Sequence, residues 1–413
     1  NMNNTFQTII LVVFGFVGIF AVLVFAGIIP IFSETANFGG DVAFWGTIPR
    51  EVMAPIIQTF NTDNQNKMSL SYVYVDENDF ENTLISALAS GKGPDMIMLP
   101  QNLIIKQGDK IYPIPYVNYS ERDFKDTFID EGEMFLSKSG VLALPMYVDP
   151  LVMYFNKDLF STASVSTYPK TWNDFLNLTK VLTKKDTKGN VFQSTVALGT
   201  FSNIDHAKDI LSTFLLQVGD NIFTKVQNNN LDYDTFESKL GIPQGGAEST
   251  LRFYTEFANQ ARTSYSWNSS LPSSRKAFEQ GILAVYFGYA SEYASVKRNN
   301  PHLNFDVAVI PQRENTTTKT TFGDIKGVAI LKSSKNIATA FQAMLQITDR
   351  KMLGEISSGL SLPSTRRDML SGESADAAAA VFQSSALISR AWFDPDKNAT
   401  EKIFKDKELD SHL

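Results

Sequence analysis

Apolar and polar positions along this chain switch repeatedly between a period of two and a period near 3.6. Asp41–Thr47 (DVAFWGT) is a short run of strand formers that ends in small residues. Val52, Ile56, Ile57 and Phe60 then recur at helical spacing. Lys67–Asp76 alternates as a half-buried strand does. Phe80, Leu84 and Leu88 share one helix face, with Gly91 placed as its C-cap, and Pro94–Pro100 (PDMIMLP) reads as the next strand. This β-α-β-α-β order predicts a largely parallel sheet covered by helices. Ligands of open α/β sheets sit beyond the carboxyl ends of the strands. Those ends here are Gly46-Thr47 and Pro100-Gln101-Asn102.

A second alternation follows. Tyr168–Asp186 is an amphipathic helix with Thr171 as its N-cap and Asp174 three residues on. Ser194–Thr200 reads as a strand, His206–Asp220 as a helix, and another helix begins near Ala247. Ile282–Gly288 (ILAVYFG), Phe305–Pro311 and Lys326–Lys332 are further strands, and the tail is helical. No internal repeat is found. Between the two series lies Leu144–Phe160 (LPMYVDPLVMYFNKDLF), a strand-like run interrupted by Asp149-Pro150. Asn156 and Asp158 within it read as caps of a following helix.

The N-terminal stretch changes the picture most. Ile9–Phe32 carries no charged residue; as a helix it would be about 36 Å long, enough for a bilayer core of about 30 Å. Residues 1–33 are therefore expected to be an uncleaved single-pass anchor, and 34–40 a short tether. A cleaved signal peptide is the competing reading; its apolar region is usually shorter, about 7–15 residues. No Lys or Arg occurs before Arg50, so charge says little about orientation.

Composition narrows the function. With 413 residues, 43% hydrophobic and 20% charged, the chain is globular. A net charge of -7 argues against a nucleic-acid surface. The absence of cysteine excludes disulfides, thiolate nucleophiles and Cys-ligated metals. Three scattered histidines leave little material for a metal site or a Ser-His-Asp triad. No metal, cofactor or catalytic residue is expected.

Several fragments, taken in order, resemble the bacterial family 1 extracellular solute-binding proteins, which include the maltose- and oligosaccharide-type receptors of ABC importers. They are FWGT, ASGKGPDMIML, LPMYVDPLVMYFNKDLF, YPKTWNDFLNLTKVLT, AFEQGILAVYFG, FDVAVIPQ, GVAILKSSKNIATAFQAML and LPSTRRDM. They cover nearly all of residues 41–394. The resemblance implies an α/β periplasmic-binding-protein-like fold of type II: two α/β lobes around a ligand cleft, here preceded by one N-terminal transmembrane helix. Lobe 1 would hold 41–142 plus 274–311 and lobe 2 would hold 150–272 plus 320–413. Residues 143–149 and 312–319 would be the hinge crossings.

The ligand candidates are Trp45, Thr47, Gln101, Asn102, Tyr147, Asp149, Tyr289, Tyr293, Asp324 and Trp392. Aromatic faces cover the C–H faces of sugars, amides serve hydroxyls as donor and acceptor, and carboxylates accept hydroxyl protons in pairs. The resemblance places Asp149 at an acidic sugar ligand, Trp45 beside the sugar and Trp392 at a stacking aromatic. Core packing is the competing reading for Trp45 and Trp392, and a loop acid for Asp149 and Asp324. The family's usual tryptophan after ILAVYFG is absent, and Tyr289 and Tyr293 stand nearby. Asp95 reads as a turn or cap residue.

The resemblance implies a non-enzymatic receptor, at the cytoplasmic membrane with its soluble part on the extracytoplasmic side. A monomer would capture a mono- or oligosaccharide by lobe closure and deliver it to permease subunits with their cytoplasmic ATPase. Two alternatives remain at this point: a carbohydrate-active enzyme using Asp149 with a second acid such as Asp324, and a ligand sensor for a membrane signalling partner.

Overall fold

The computed structural model describes residues 39–219, 246–372, 374 and 376–410. The apolar segment Ile9–Phe32 lies outside the described residues, and among these no helix is long and apolar enough to cross a membrane.

The first alternation folds as read. Strand β1 (Gly40–Gly46), helix α1 (Arg50–Asp63), β2 (Met68–Tyr74), α2 (Phe80–Ala89) and β3 (Met96–Pro100) follow one another. β1 lies between β2 and β3, parallel to both. Val42 and Phe44 are fully buried while Asp41 is exposed, as a strand with one covered face requires. Asp95 has the structural role expected of it. Its carboxylate accepts the Ala43 N–H at 2.9 Å and the Ser334 hydroxyl at 2.6 Å, tying the start of β3 to β1 and to a distant loop.

Strand β4 (Leu144–Asn156) runs unbroken through Asp149-Pro150. The interruption read at Asp149-Pro150 is corrected. Pro150 still lies in register with Gly323, and what changes there is the partner strand. Residues up to Pro150 pair with Thr321–Ile330; from Leu151 onward the partner is Leu283–Tyr289. A proline lacks the N–H that a central strand donates, and it stands where one ladder gives way to the next. Asn156 caps the following helix by accepting the N–H groups of Asp158 and Leu159.

The other strands of the large sheet are β5 (Lys184–Lys185), β6 (Val191–Val196), β7 (Leu283–Tyr289), β8 (Phe305–Ala308), β9 (Thr321–Ile330) and β10 (Ser389–Arg390). With them come helices α3 (Asp174–Leu182), α4 (Ala207–Gln217), α5 (Ile337–Ile347), α6 (Arg350–Leu360), α7 (Ala377–Leu387) and α8 (Lys397–Asp410). Helix α3 starts later than Thr171 suggests: Asp174 reaches back and accepts the N–H groups of Lys170 and Thr171, both at 2.9 Å. One sheet path runs β2-β1-β3-β9-β4-β7-β6-β5, with β8 on β4 and β10 on β9.

These pairings regroup the halves. Residues 283–308 pair with the second half of β4 and with β6, so 274–311 packs with 150–272 and not with 41–142. β9 pairs with β3 and with the first half of β4, and α5 packs on β9 and β1, so 324–347 joins 41–142. Residues 312–319 are not a crossing. The Gln312 N–H donates to the Lys170 carbonyl, and the Gln217 amide donates to the carbonyls of both Pro311 and Thr320. These bonds hold the segment on the second half, and the chain returns within β9 itself. The two adjacent strands β4 and β9 thus connect the halves, and the chain crosses again between α6, which packs on α1, and α7, which packs on β4 and β8.

Candidate functional site

A cleft of about 450 Å³ opens over this connection. One wall comes from the carboxyl ends of the first-half strands: Glu77 and Asn78 after β2, Gln101 and Asn102 after β3. The opposite wall is His206, Lys208 and Asp209 at the start of α4, with Tyr289 at the end of β7. Phe322 and Asp324 of β9 contribute from the connection, and Trp392, Asp394 and Lys397 close the rim. Both walls therefore stand at strand ends, where open α/β sheets place ligands.

Five of the ten candidates meet in this cleft: Gln101, Asn102, Tyr289, Asp324 and Trp392. The Gln101 side chain is committed to the fold. Its Nε2 donates to the Gly323 carbonyl at 3.0 Å and its Oε1 accepts the Ile325 N–H at 3.1 Å. Asn102 is half-buried beside it. The Tyr289 hydroxyl donates to Asp209 Oδ2 at 2.9 Å, and its ring meets His206 edge-on at 4.8 Å between centroids. Trp392 is buried, with Nε1–H donating to Ser212 Oγ at 3.0 Å and its ring stacked on Phe404 at 6.1 Å.

The other five stand elsewhere. Trp45 is half-buried on β1, in register with Val73 and Ile97, and packs against the core; half-buried Thr47 follows the strand. Tyr147 is buried in β4, and its hydroxyl is pushed up to about 12 by burial, against the pull of Lys326. Asp149 is opposite Asp324 across β4 and β9, and its Oδ1 accepts the Ser291 N–H at 3.0 Å. Burial raises this carboxyl to about 7; Ser291 opposes the rise, and the charges of Asp324 and Glu292 add to it. Tyr293 lies in a separate cavity of about 730 Å³, edge-on to Phe305 and Phe382.

The residues that sequence reasoning missed form the cleft's ionic frame. Burial works against a charged His206, but the bond from Nε2 to Glu292 Oε1 at 2.7 Å outweighs it and raises the imidazole's pKa. Glu292 Oε1 also accepts the Tyr289 N–H, and Oε2 accepts the Tyr286 hydroxyl at 2.7 Å. Lys208 is paired with Asp394 and donates to the Thr400 hydroxyl at 2.6 Å. Lys326 donates to Glu77 at 2.7 Å, and Asp324 lies 3.6 Å away. Burial raises the Asp209 carboxyl, with His206 and the Tyr289 hydroxyl opposing. The strand-end rule would have found Glu77 and Asn78, which follow β2. His206–Asp209 was read only as a helix start, and nothing local in the sequence marks Asp394.

This arrangement offers carboxylate acceptors and the aromatic side chains of Phe322, Tyr289 and Trp392. Among the described residues no group of His, Asp or Glu has the geometry to hold a metal ion.

The family model for bacterial extracellular solute-binding proteins matches residues 55–383. No curated protein sequence matches the chain at a significant level. Among solved structures, a cyclo/maltodextrin-binding protein complexed with maltotetraose superposes with a TM-score of 0.72 at 14% identity, over 90% of this chain and 91% of that one. The sugar-binding protein MalE from the phytopathogen Xanthomonas citri does so at 0.69 and 19% identity, over 90% and 91%. The extracellular solute-binding protein from Staphylococcus aureus in complex with maltose gives 0.66 at 16%, over 92% and 97%. At these identities the likeness carries the fold, a two-lobed α/β periplasmic-binding-protein fold. The family model covers most of the chain, and the chain belongs to the bacterial extracellular solute-binding proteins, a family of binding proteins and not of enzymes.

Proposed function

We propose that the solute is a carbohydrate, captured in the cleft over β4 and β9 as the two halves close on it. The single observation behind this reading is the cleft's mixed lining: Tyr289, Phe322 and Trp392 stand among the carboxylates of Asp209 and Asp324. Rings accept the C–H faces of a sugar and carboxylates accept its hydroxyl protons. The sugar ligands named for structurally similar proteins agree with it. The connection has the anatomy of a hinge, since two paired strands run from one half to the other.

The soluble part stands on the extracytoplasmic side, held by the apolar segment Ile9–Phe32 as a single-pass anchor, and acts as a monomer. It delivers its cargo to the permease subunits of an ABC importer. The enzyme reading is not favoured. Asp149 and Asp324 do face each other across two strands, but Asp149 is bound to the Ser291 backbone and stands outside the cleft lining.

A thermal-shift screen of the full chain in mild detergent tests the reading, because a solute bound only by the folded state raises the melting temperature. A rise with a mono- or oligosaccharide is expected. A rise with an amino acid, polyamine or inorganic anion, and none with any saccharide, would overturn it.

A further inference from the structure

Lys326 is a buried lysine, 7% exposed, in β9, opposite Tyr147 of β4. Lysine is almost never this buried unless it is paired. Its Nζ donates to Glu77 Oε1 at 2.7 Å and lies 3.6 Å from Asp324 Oδ2. Burial works against its charge, but the charges of Asp324 and Glu77 beside it outweigh that and raise the amine's pKa.

Both acids line the cleft, Glu77 from the first-half wall after β2 and Asp324 from the floor on β9, and the lysine stands behind them. Among the described residues no other cation lies within ion-pairing distance of either acid. Each acid also keeps one oxygen, Glu77 Oε2 and Asp324 Oδ1, without a hydrogen-bond partner among these residues. The acids of the opposite wall are more committed. Asp394 is paired with Lys208 and accepts the Thr400 hydroxyl at 3.0 Å, and Asp209 accepts the Tyr289 hydroxyl at 2.9 Å. Stability does not account for the lysine. The Glu77 side chain is 65% exposed, so this pair contributes little, while the ammonium itself is costly to bury. A methionine would fill the same place without that cost. What the ammonium adds is a fixed positive charge under two cleft carboxylates.

We propose that Lys326 is a positioning residue of the binding site, holding Glu77 and Asp324 side by side so that their free oxygens accept the protons of two neighbouring hydroxyls of the solute. The inference rests on the carbohydrate reading and deepens it. It adds Glu77 to the groups that touch the solute and selects a saccharide that presents a pair of adjacent hydroxyls to the first half. Hydroxyl donors to a carboxylate make charge-assisted hydrogen bonds, the stronger kind. Lys326 acts only through the two acids and touches no part of the solute. It also separates the facing acids of the connection: Asp324 has a cation beside it, whereas Asp149 has only the Ser291 N–H.

Titration calorimetry on the full chain in mild detergent tests this, with glucose, mannose, galactose, xylose, cellobiose and maltotriose as probes. For whichever of these binds most tightly, Lys326→Met should lose at least about tenfold in affinity, a difference worth about 1.4 kcal/mol. Lys326→Arg restores a cation and should return binding to within about threefold of the native chain. A role in packing alone would give the reverse order, since methionine keeps the volume and arginine exceeds it. Glu77→Gln changes an exposed side chain, so it should keep the melting temperature while losing at least about threefold in affinity. This variant decides the matter if K326M fails to fold. Unchanged binding by E77Q or K326M, or K326R no better than K326M, would overturn this inference and leave the carbohydrate reading intact. Binding of none of the six saccharides would remove both.

Discussion

Lys106 Nζ lies 3.1 Å from Asp396, and this ion pair joins the two halves of the molecule. Lys106 belongs to the short helix after β3, where it also neighbours Glu81. Asp396 precedes α8 and accepts the N–H groups of Asn398 and Ala399. Both side chains are about one-third to one-half exposed, at 33% and 45%. Exposed pairs of this kind contribute about 0.2–1 kcal/mol. Asp396→Asn should therefore weaken solute binding by less than about fivefold, and the effect should vanish at high salt. A loss that is larger and insensitive to salt would show that the pair does more than hold the halves together.

Trp392 belongs both to the cleft and to the core. Trp392→Ala should cost about 3–5 kcal/mol of stability, as large aromatic truncations do. Trp392→Phe keeps an aromatic side chain and loses the bond to Ser212, worth about 1 kcal/mol. If the ring contacts the solute, W392F should keep binding within about tenfold of the native chain. Chemical denaturation and calorimetry on the two variants check this together.

Gln101 fastens β3 to the connecting strand β9. Gln101→Leu leaves the Gly323 carbonyl and the Ile325 N–H without this partner, and should destabilise the chain by about 1–3 kcal/mol. Asn102→Ala next to it should change stability by less than about 0.5 kcal/mol. Equal losses at the two positions would contradict the clamp.

Asp149 gives a pH signature. Its ordinary value is 3.8 and burial raises it to about 7. The folded chain then holds this proton more tightly than the unfolded chain does, so stability falls as pH rises through that window. Asp149→Asn does not titrate. The melting temperature of D149N relative to the native chain should climb between pH 4 and 7, with the window set by the same two values. A difference that stays constant across the window would rule out the buried carboxyl. His206 titrates in the same sense. Its raised value means that its stabilisation is complete below pH 6.5 and is lost as pH rises through the folded-state value.

Much of this architecture was legible in the pattern of apolar positions. Periodicity found β1, β2, β3 and the helices between them, and the ordered fragments placed the chain in its family. Lobe membership was not legible, because it depends on which strand pairs with which. Leu283–Tyr289 and Thr321–Ile330 are both short apolar runs, and nothing within either states that one joins β4 after Pro150 and the other before it. At the site, strand ends marked Gln101 and Asn102 correctly for position. Sequence could not show that the Gln101 amide is spent on β9, nor that Asp149 turns toward Ser291. Those outcomes depend on contacts between residues more than a hundred positions apart.

The central claim is that a saccharide occupies the cleft between the strand ends. Calorimetric titration of a saccharide panel into the native chain and into Asp324→Asn tests it most directly. The account predicts that at least one saccharide binds and that D324N, which removes a charged acceptor from the cleft, weakens it by about tenfold or more. Saccharide binding that D324N and W392A both leave unchanged, or binding of a non-carbohydrate solute alone, would contradict it.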